Sequence, residues 1–378
     1  MRFMIIPPQR HLFDIPEDIT YLNNAYMGPL MHKVVTAMQA GLDGKVQPWT
    51  YTSEDFFTYA EQARGLAAQI YGTQADNIAI VPSASYGLQI AANALPLGEG
   101  KNILVLEDQF PSNIYPWQIK AARESGHVII LPTPADDDWT SVLLAAIDEN
   151  TDIVAAPQTH WTNGATLELP LIRAALDKVG GTLVLDLTQS LGAQPFDMAA
   201  IRPDFVVAAT YKWLMGPYSM GFLYIDPKWQ DADPLEHNWM NRAGSEDFAG
   251  LTRYQDEFQP GARRFDMGEK SNASQLSGAS AAMTQILDWG VENIAETLRA
   301  KTDFIAEALA GTDIFPVARH LRAPHYLGLR FAGGIPDGLL AELSAKNIFV
   351  SVRGSSMRVT PHLYTTEADI SRLIDALN

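Results

Sequence analysis

Two residues of opposite charge follow neighbouring hydrophobic segments in the middle of the chain. Asp186 ends the segment that begins at Thr182, and Lys212 follows the segment 205–209. Ligands of open α/β sheets bind outside the carboxyl ends of the strands, so two such strands would bring acid and amine together. Pyridoxal phosphate requires this pair: the lysine holds the aldehyde as a Schiff base, and the acid keeps the ring nitrogen protonated. Taken singly, each residue is more often a surface lysine or a strand-capping aspartate.

Seven short hydrophobic segments predict the sheet that would position this pair. They are 77–81, 102–106, 127–131, 153–156, 182–185, 205–209 and 221–225. Most lack alternation, which indicates buried strands covered on both faces. Helical patterns lie between them, at 59–71 and at 170–179, where Gly180 follows the last helical residue. We therefore expect an α/β fold with a mostly parallel sheet.

The link between the last two segments differs from the others. It is short and contains Gly216 and Pro217, whereas parallel strands need a crossover of roughly a dozen residues. This link predicts one antiparallel strand in the seven-stranded sheet.

The C-terminal part of the chain has the pattern of a smaller α+β domain. A helical stretch covers 279–309 with a break at Gly290, and strand-like segments follow at 325–331 and 348–352. Thr366, with Asp369 in the capping-box position, predicts the start of the last helix. We predict a large domain at 20–255 and a small domain formed by 1–19 and 256–378.

Composition excludes several classes of function. The 378 residues carry a net charge of -17 and include no cysteine, which excludes disulfides, zinc–thiolate sites, iron–sulfur clusters and thiol nucleophiles. The negative charge disfavours nucleic acid and anionic membranes as partners. The hydrophobic stretch at the N-terminus is too short for a signal peptide, and no run of about 18 apolar residues indicates a membrane span. We expect a soluble cytoplasmic protein without a metal site.

The segments around the acid and the lysine carry a family resemblance. The stretch 186–197, together with 204–205, 210–213 and 216–221, resembles the class V aminotransferases. This family of fold-type I pyridoxal-phosphate enzymes includes cysteine desulfurases, kynureninases and isopenicillin-N-epimerase-like proteins. The resemblance runs from about residue 21 to 366. It implies the PLP-dependent transferase fold of type I and a homodimer with active sites at the interface.

A phosphate site is expected where the strand 77–81 turns into a helix. Free amides at a helix N-terminus favour an anion, and Ala84, Ser85 and Tyr86 occupy this turn. Ser85 could equally be a helix N-cap. Thr210 could supply a second hydroxyl. The resemblance implies a contact from the neighbouring subunit, for which Ser271 is the candidate.

Three further residues are candidates for contacts with the cofactor ring. Phe110 occupies the position where many relatives stack a histidine, although a core phenylalanine is the competing interpretation. By the resemblance, Gln189 bonds the ring hydroxyl or the imine. Relatives use a nearby asparagine to contact the ring hydroxyl or the substrate, and the resemblance implies Asn163 for this role. His160 could be a base in the pocket, but a structural histidine is the simpler interpretation.

Candidate substrate residues lie at both ends of the chain. Arg358 falls on the family's carboxylate-binding position, and Arg353 is its local rival. Asn24 and Tyr26 lie in a segment that lines the substrate pocket in relatives. Lys270 is a rival for the covalent role but does not follow a buried strand.

The sequence departs from the cysteine desulfurases because it lacks their catalytic cysteine and has Tyr211 where they commonly have histidine before the lysine. The remaining reactions begin at the α-carbon of an amino acid. We expect an aminotransferase, with a kynureninase-like lyase or an epimerase as the alternative. A scaffold that keeps only the fold is a third hypothesis, against which the joint presence of Asp186, Gln189, Lys212 and Arg358 argues.

Overall fold

The structure, a computed structural model, describes residues 4–378. Its strands are β1 (Thr20–Tyr21), β2 (Ile78–Val81), β3 (Asn102–Leu106), β4 (His127–Leu131), β5 (Thr151–Pro157), β6 (Thr182–Asp186), β7 (Phe205–Ala209), β8 (Gly221–Ile225), β9 (Ile314–Pro316), β10 (Leu327–Phe331), β11 (Ile348–Phe349), β12 (Ser351–Arg353) and β13 (Ser356–Val359). All seven segments predicted for the large sheet are strands, with bounds that differ by at most a few residues.

Helices lie between most of the strands. They are α1 (His32–Val46), α2 (Asp55–Tyr71), α3 (Ala84–Ala94), α4 (Tyr115–Glu124), α5 (Trp139–Ala146), α6 (Leu169–Val179), α7 (Met198–Ile201), α8 (Ala273–Trp289), α9 (Val291–Ala308), α10 (Leu339–Ala345) and α11 (Glu367–Leu377). Within the described part of the chain, none of these helices has the length and hydrophobicity needed to cross a membrane.

The large sheet has seven strands in the order β2-β8-β7-β6-β5-β3-β4. Strand β8 runs antiparallel to both of its neighbours, β7 and β2, and the other pairs are parallel. The predicted α/β fold with one antiparallel strand is therefore confirmed.

Alternate residues of the central strands enter two separate hydrophobic clusters. Leu183 and Leu185 of β6 pack in one cluster, and Val184 between them packs in the other. Both faces of the sheet are thus covered, which explains why these strands show no alternation of hydropathy. The prediction of a buried strand was wrong for β4, an edge strand in which Ile130 is 52% exposed.

A smaller four-stranded antiparallel sheet, β12-β13-β10-β9, lies in the C-terminal part of the chain. The predicted single strand 348–352 is two short strands in different sheets, since β11 pairs with β1 and β12 with β13. Helix α8, which the predicted boundary gives to the small domain, packs on α1 and α2 of the large sheet region. The division at residue 255 stays a prediction.

Local signals set the ends of three helices as expected. Gly180 after α6 and Gly290 between α8 and α9 both have positive φ, at 75° and 78°, which favours glycine. Thr366 caps α11, and both hydrogen bonds of its capping box with Asp369 are present.

Candidate active site

One cavity of about 280 Å³ opens at the edge of the large sheet where the parallel strands end. Five of the strands contribute residues at or after their ends: Ser83 to Ser85 after β2, Gln109 and Phe110 after β3, Thr159 and Trp161 after β5, Asp186 to Gln189 at β6, and Tyr211 and Lys212 after β7. The antiparallel strand β8 begins at this edge, so Tyr218, Ser219 and Met220 before it complete the wall.

Lys212 lies in the wall of this cavity and is only 7% exposed. Its Nζ lies 5.5 Å from the ring centroids of both Phe110 and Tyr211. Burial lowers the pKa of Lys212 to about 8, although the negative charge of Asp186 acts to raise it. The amine is therefore partly neutral, and hence nucleophilic, close to neutral pH.

Asp186 is the last residue of β6 and is 9% exposed. Its Oδ1 accepts a hydrogen bond of 2.9 Å from the backbone N–H of Thr188. Burial raises the pKa of Asp186, while the Thr188 hydrogen bonds and the positive charge of Lys212 oppose that shift. The carboxyl group is thus held in a fixed orientation in a site of low polarity.

The chain near the N-terminus supports the loop that carries the lysine. The Gly28 N–H donates to the carbonyl oxygen of Tyr211 at 2.9 Å, and a Cβ atom at Gly28 would collide with the carbonyl oxygen of Lys212. Asn24 Nδ2 donates to the same Lys212 oxygen at 3.4 Å. Asn24 therefore contacts the backbone of the lysine and does not line the cavity.

Aromatic rings form two walls of the cavity. Phe110 meets Trp161 edge to face, with centroids 5.2 Å apart, and the rings of Tyr211 and Tyr218 lie 4.6 Å apart. A flat heterocycle could pack against such rings.

The N-terminus of α3 forms another part of the wall. Ser83 is the N-cap, and its Oγ accepts from the N–H of Tyr86 at 3.2 Å. The N-cap interpretation of Ser85 is thereby wrong, and the Ser85 hydroxyl lies 2.9 Å from that of Ser83 at the cavity. The amides and hydroxyls of this turn provide donors suited to an anion.

Gln189 lines the cavity, and both the nitrogen and the oxygen of its side-chain amide form hydrogen bonds within the protein. Its Nε2 donates to the carbonyl oxygen of Ala25 at 3.1 Å, and its Oε1 accepts from Trp213 Nε1 at 3.0 Å. These bonds fix the orientation of the amide.

Four of the predicted cofactor residues do not line the cavity. Thr210 is fully buried, and its hydroxyl donates to the backbone carbonyls of the following turn. Asn163 bonds Asp137 at 3.0 Å and lines a smaller neighbouring cavity. The Ser271 hydroxyl donates to the carbonyl oxygen of Phe56, and Tyr86 enters the turn of α3 only through its backbone.

The predicted substrate arginine lies behind the aromatic wall. Arg358 is 1% exposed, and its Nη1 donates to the carbonyl oxygen of Trp161 at 3.3 Å. Tyr26 is 54% exposed. Their roles stay predictions.

Two competing candidates contact neighbouring side chains outside the Lys212 cavity. Lys270 donates to Asp266 at 2.6 Å, outside the cavity. His160 stacks on Trp139 with centroids 5.1 Å apart, and burial lowers its pKa to about 4.

Sequence reasoning missed several residues of the wall. Tyr218 to Met220 precede β8, and the prediction that this strand is antiparallel already implied that its start lies at the site. Trp161 lies two residues before Asn163, the contact that the sequence predicts after β5. No sequence pattern indicated Asn113 as a site residue. It lines the cavity, and its buried Nδ2 has no hydrogen-bond partner in the described chain.

The residues present fit pyridoxal phosphate. The turn at α3 offers donors for a phosphate, Lys212 offers a partly neutral amine, and Asp186 offers a buried acid. Asn113 Nδ2 is a further donor without an acceptor.

Comparison with known proteins agrees with this fit. The sequence model of the class V aminotransferases matches residues 20–373. The chain belongs to the class V aminotransferase family. Family membership assigns pyridoxal phosphate as its cofactor, which confirms the prediction made from the acid and the lysine.

Named relatives in the family have different activities. The uncharacterized aminotransferase YcbU of Bacillus subtilis is 26% identical over 98% of this chain and 97% of its own length. The kynureninase of Deinococcus radiodurans is 28% identical over 78% and 72%, and the isopenicillin N epimerase of Streptomyces clavuligerus is 24% identical over 95% and 94%. The chain is thus a pyridoxal-phosphate enzyme of this family, and the reaction differs among its relatives.

Solved structures share the fold. A mutant of C-DES with glycine covalently linked to its PLP cofactor superposes with a TM-score of 0.88 at 21% identity, over 98% of this chain and 99% of that one. The apo cysteine desulfurase of Thermococcus onnurineus has a TM-score of 0.84 at 19% identity, over 99% and 98%.

Proposed function

We propose that the chain is an aminotransferase that acts at the α-carbon of an amino acid and holds pyridoxal phosphate on Lys212. One observation carries this proposal: Lys212 lies buried in the wall of a cavity that also contains the buried Asp186, where burial lowers the pKa of its amine to about 8. The relative named as an aminotransferase, which matches almost the full length, supports transamination.

Lys212 would have two tasks. Its neutral amine would hold the aldehyde of the cofactor, and Nζ, when not engaged in this way, would be placed to accept the proton of the α-carbon. Bound pyridoxal phosphate supplies an electron-accepting ring that weakens the bonds at the α-carbon of the amino acid. Where Lys212 returns the proton decides between transamination and epimerisation.

Other residues in and around the cavity would bind and orient the cofactor and the substrate. Asp186, fixed by Thr188, supplies the negative charge that keeps a ring nitrogen protonated. Ser85 and the amides of α3 would hold the phosphate, and Phe110 would pack on the ring. Arg358 would bind the substrate carboxylate through its free guanidinium protons.

We also propose a homodimer. Exposed hydrophobic side chains on and after α1 support it, since Val46 is 71% and Trp49 79% exposed. Sedimentation of the purified protein at the mass of two chains is the expected result.

The reaction is tested by product analysis. The holoenzyme is incubated with single amino acids, with and without a keto-acid acceptor, and keto acid, the D-enantiomer and ammonia are measured. Stoichiometric keto acid that depends on the acceptor supports the proposal. Racemised substrate or acceptor-independent ammonia would show an epimerase or a lyase instead.

A further inference from the structure

Two arginines lie on the same face of the C-terminal β-hairpin. Strands β12 and β13 pair antiparallel, with Ser351 opposite Arg358 and Arg353 opposite Ser356. Alternate residues of a strand point to the same face. Arg353 and Arg358 therefore project from one face as diagonal neighbours.

Both guanidinium groups lie against one ring of the cavity wall. The Cζ atoms of Arg353 and Arg358 lie 5.7 and 5.9 Å from the ring centroid of Trp161, which lines the Lys212 cavity. Both positive charges also lower the pKa of Lys212. Neither arginine lines the Lys212 cavity itself, and both meet its wall at Trp161.

The two arginines differ in what holds them. Ser351 Oγ accepts from Nε and Nη2 of Arg358 at 2.9 and 2.7 Å. The only side-chain hydrogen bond of Arg353 within the described residues goes to the neighbouring carbonyl of Val352, at 2.6 Å. The guanidinium of Arg353 is therefore available for a ligand.

No carboxylate of residues 4–378 pairs with Arg353, although the chain is strongly acidic. By contrast, Arg330, which lines one small cavity together with Arg353, pairs with Asp137 at 2.5 Å. Burial lowers the pKa of Arg353, and the charge of Arg358 lowers it further. Two uncompensated like charges destabilise each other, and an anion between them would relieve that repulsion.

A second unsatisfied group lies beside Arg353. Ser356, directly opposite in the hairpin, is 3% exposed, and its Oγ has no hydrogen-bond partner in the described chain. Arg353 and Ser356 both line the small cavity next to the Lys212 cavity. Together they offer a forked cationic donor and a hydroxyl, which suits a carboxylate.

We infer that the substrate is an amino acid with a second carboxylate in its side chain, with Arg358 binding the α-carboxylate and Arg353, beside Ser356, binding the side-chain carboxylate. This inference rests on the proposed function. It assigns Arg353 as the residue that selects dicarboxylic substrates.

The test compares acids with amides of the same shape. The holoenzyme is assayed with L-aspartate against L-asparagine and with L-glutamate against L-glutamine, and kcat/KM is measured for each by keto-acid formation. Because a charged hydrogen bond is lost with the amide, the preferred acid should exceed its amide by about 10- to 100-fold in kcat/KM.

Variants test whether Arg353 causes that preference for the acid. Arg353→Gln should reduce the acid-to-amide ratio by at least about tenfold, mainly through KM for the acid. Arg123→Gln, at an exposed position in the last turn of α4, is the matched control and should keep the ratio. Arg353→Glu should reverse the preference towards L-lysine or L-ornithine.

The outcomes separate this inference from the proposed function. Equal turnover of acids and amides by the unmodified enzyme, or an acid preference that survives Arg353→Gln, overturns the inference and leaves the aminotransferase intact. If a cofactor-loaded enzyme forms keto acid from none of the amino acids, the proposed function fails and the inference with it. The comparison of unmodified enzyme with matched substrates stands even if a variant does not fold.

Discussion

Two lysines are buried next to aspartates in this molecule, and their surroundings give them different properties. Lys270 lies in a direct ion pair with Asp266, which also pairs with Arg64 at 2.8 Å. Lys212 has Asp186 near enough to raise its pKa but forms no ion pair with it in the described chain.

The two aspartates respond in opposite ways. Burial alone would raise the pKa of Asp266, but Arg64 and Lys270 outweigh it and lower that pKa. For Asp186 burial prevails, and the pKa is raised. A fully paired cluster stabilises the charged forms of its members, whereas an unpaired amine in a cavity keeps its chemistry available.

The largest expected effect follows the replacement of Lys212, the lysine of the cavity. Lys212→Ala should lose the covalent cofactor and about 10³-fold or more in activity, because the nucleophile and the proton acceptor are removed together. Borohydride reduction followed by peptide mass mapping should label Lys212 in the unmodified enzyme and no residue in the variant. A label on Lys270 would contradict the comparison.

The next effect concerns the acid of the cavity. Asp186→Asn should reduce activity by about 10²-fold, because a neutral amide cannot keep the ring nitrogen protonated. Since Asp186 raises the pKa of Lys212, this variant should also move the pH midpoint for cofactor capture below about 8. An unchanged midpoint would show that the two groups do not interact.

The paired lysine should affect stability and not chemistry. Lys270→Met removes one charged hydrogen bond to Asp266, while Arg64 still compensates the carboxylate, so we expect a loss of about 2 kcal/mol in the free energy of unfolding. Urea denaturation of the apoenzyme measures this change. Loss of covalent cofactor from a folded Lys270→Met variant would argue against a purely structural role.

The smallest expected effect is the pH dependence of cofactor capture by the unmodified apoenzyme. The pKa of Lys212 is lowered, so the neutral amine increases as pH rises towards about 8. The capture rate should rise up to tenfold per pH unit below that value and level off above it. Stopped-flow absorbance measures the rate, and a midpoint near 10 would show that burial does not affect this amine.

The sequence predicted the large sheet and its chemical pair because both depend on local patterns. Hydrophobic segments without alternation identified strands buried on both faces, and the short Gly216–Pro217 link identified the antiparallel strand. Asp186 and Lys212 followed from their positions at strand ends. Patterns could not show that β4 lies at the edge or that 348–352 divides between two sheets, since strand order depends on contacts distant in sequence.

For the other candidates, the sequence could not predict the direction in which each side chain points. The sequence predicts a contact from Asn163 after β5, but only the packing shows that Trp161 lines the cavity and that Asn163 bonds Asp137. Ser83 caps α3 in place of Ser85, a difference of two residues that composition cannot resolve.

The sequence by itself predicted the cofactor and the lysine that would hold it from residue types at the ends of adjacent strands, and it predicted the family from the resemblance of the segments around them. The tertiary structure decided which buried lysine is paired and which is available, and it placed Arg353 beside Arg358 at Trp161. Pairing, burial and register depend on residues far apart in the chain, and these set the charge and the reach of each group.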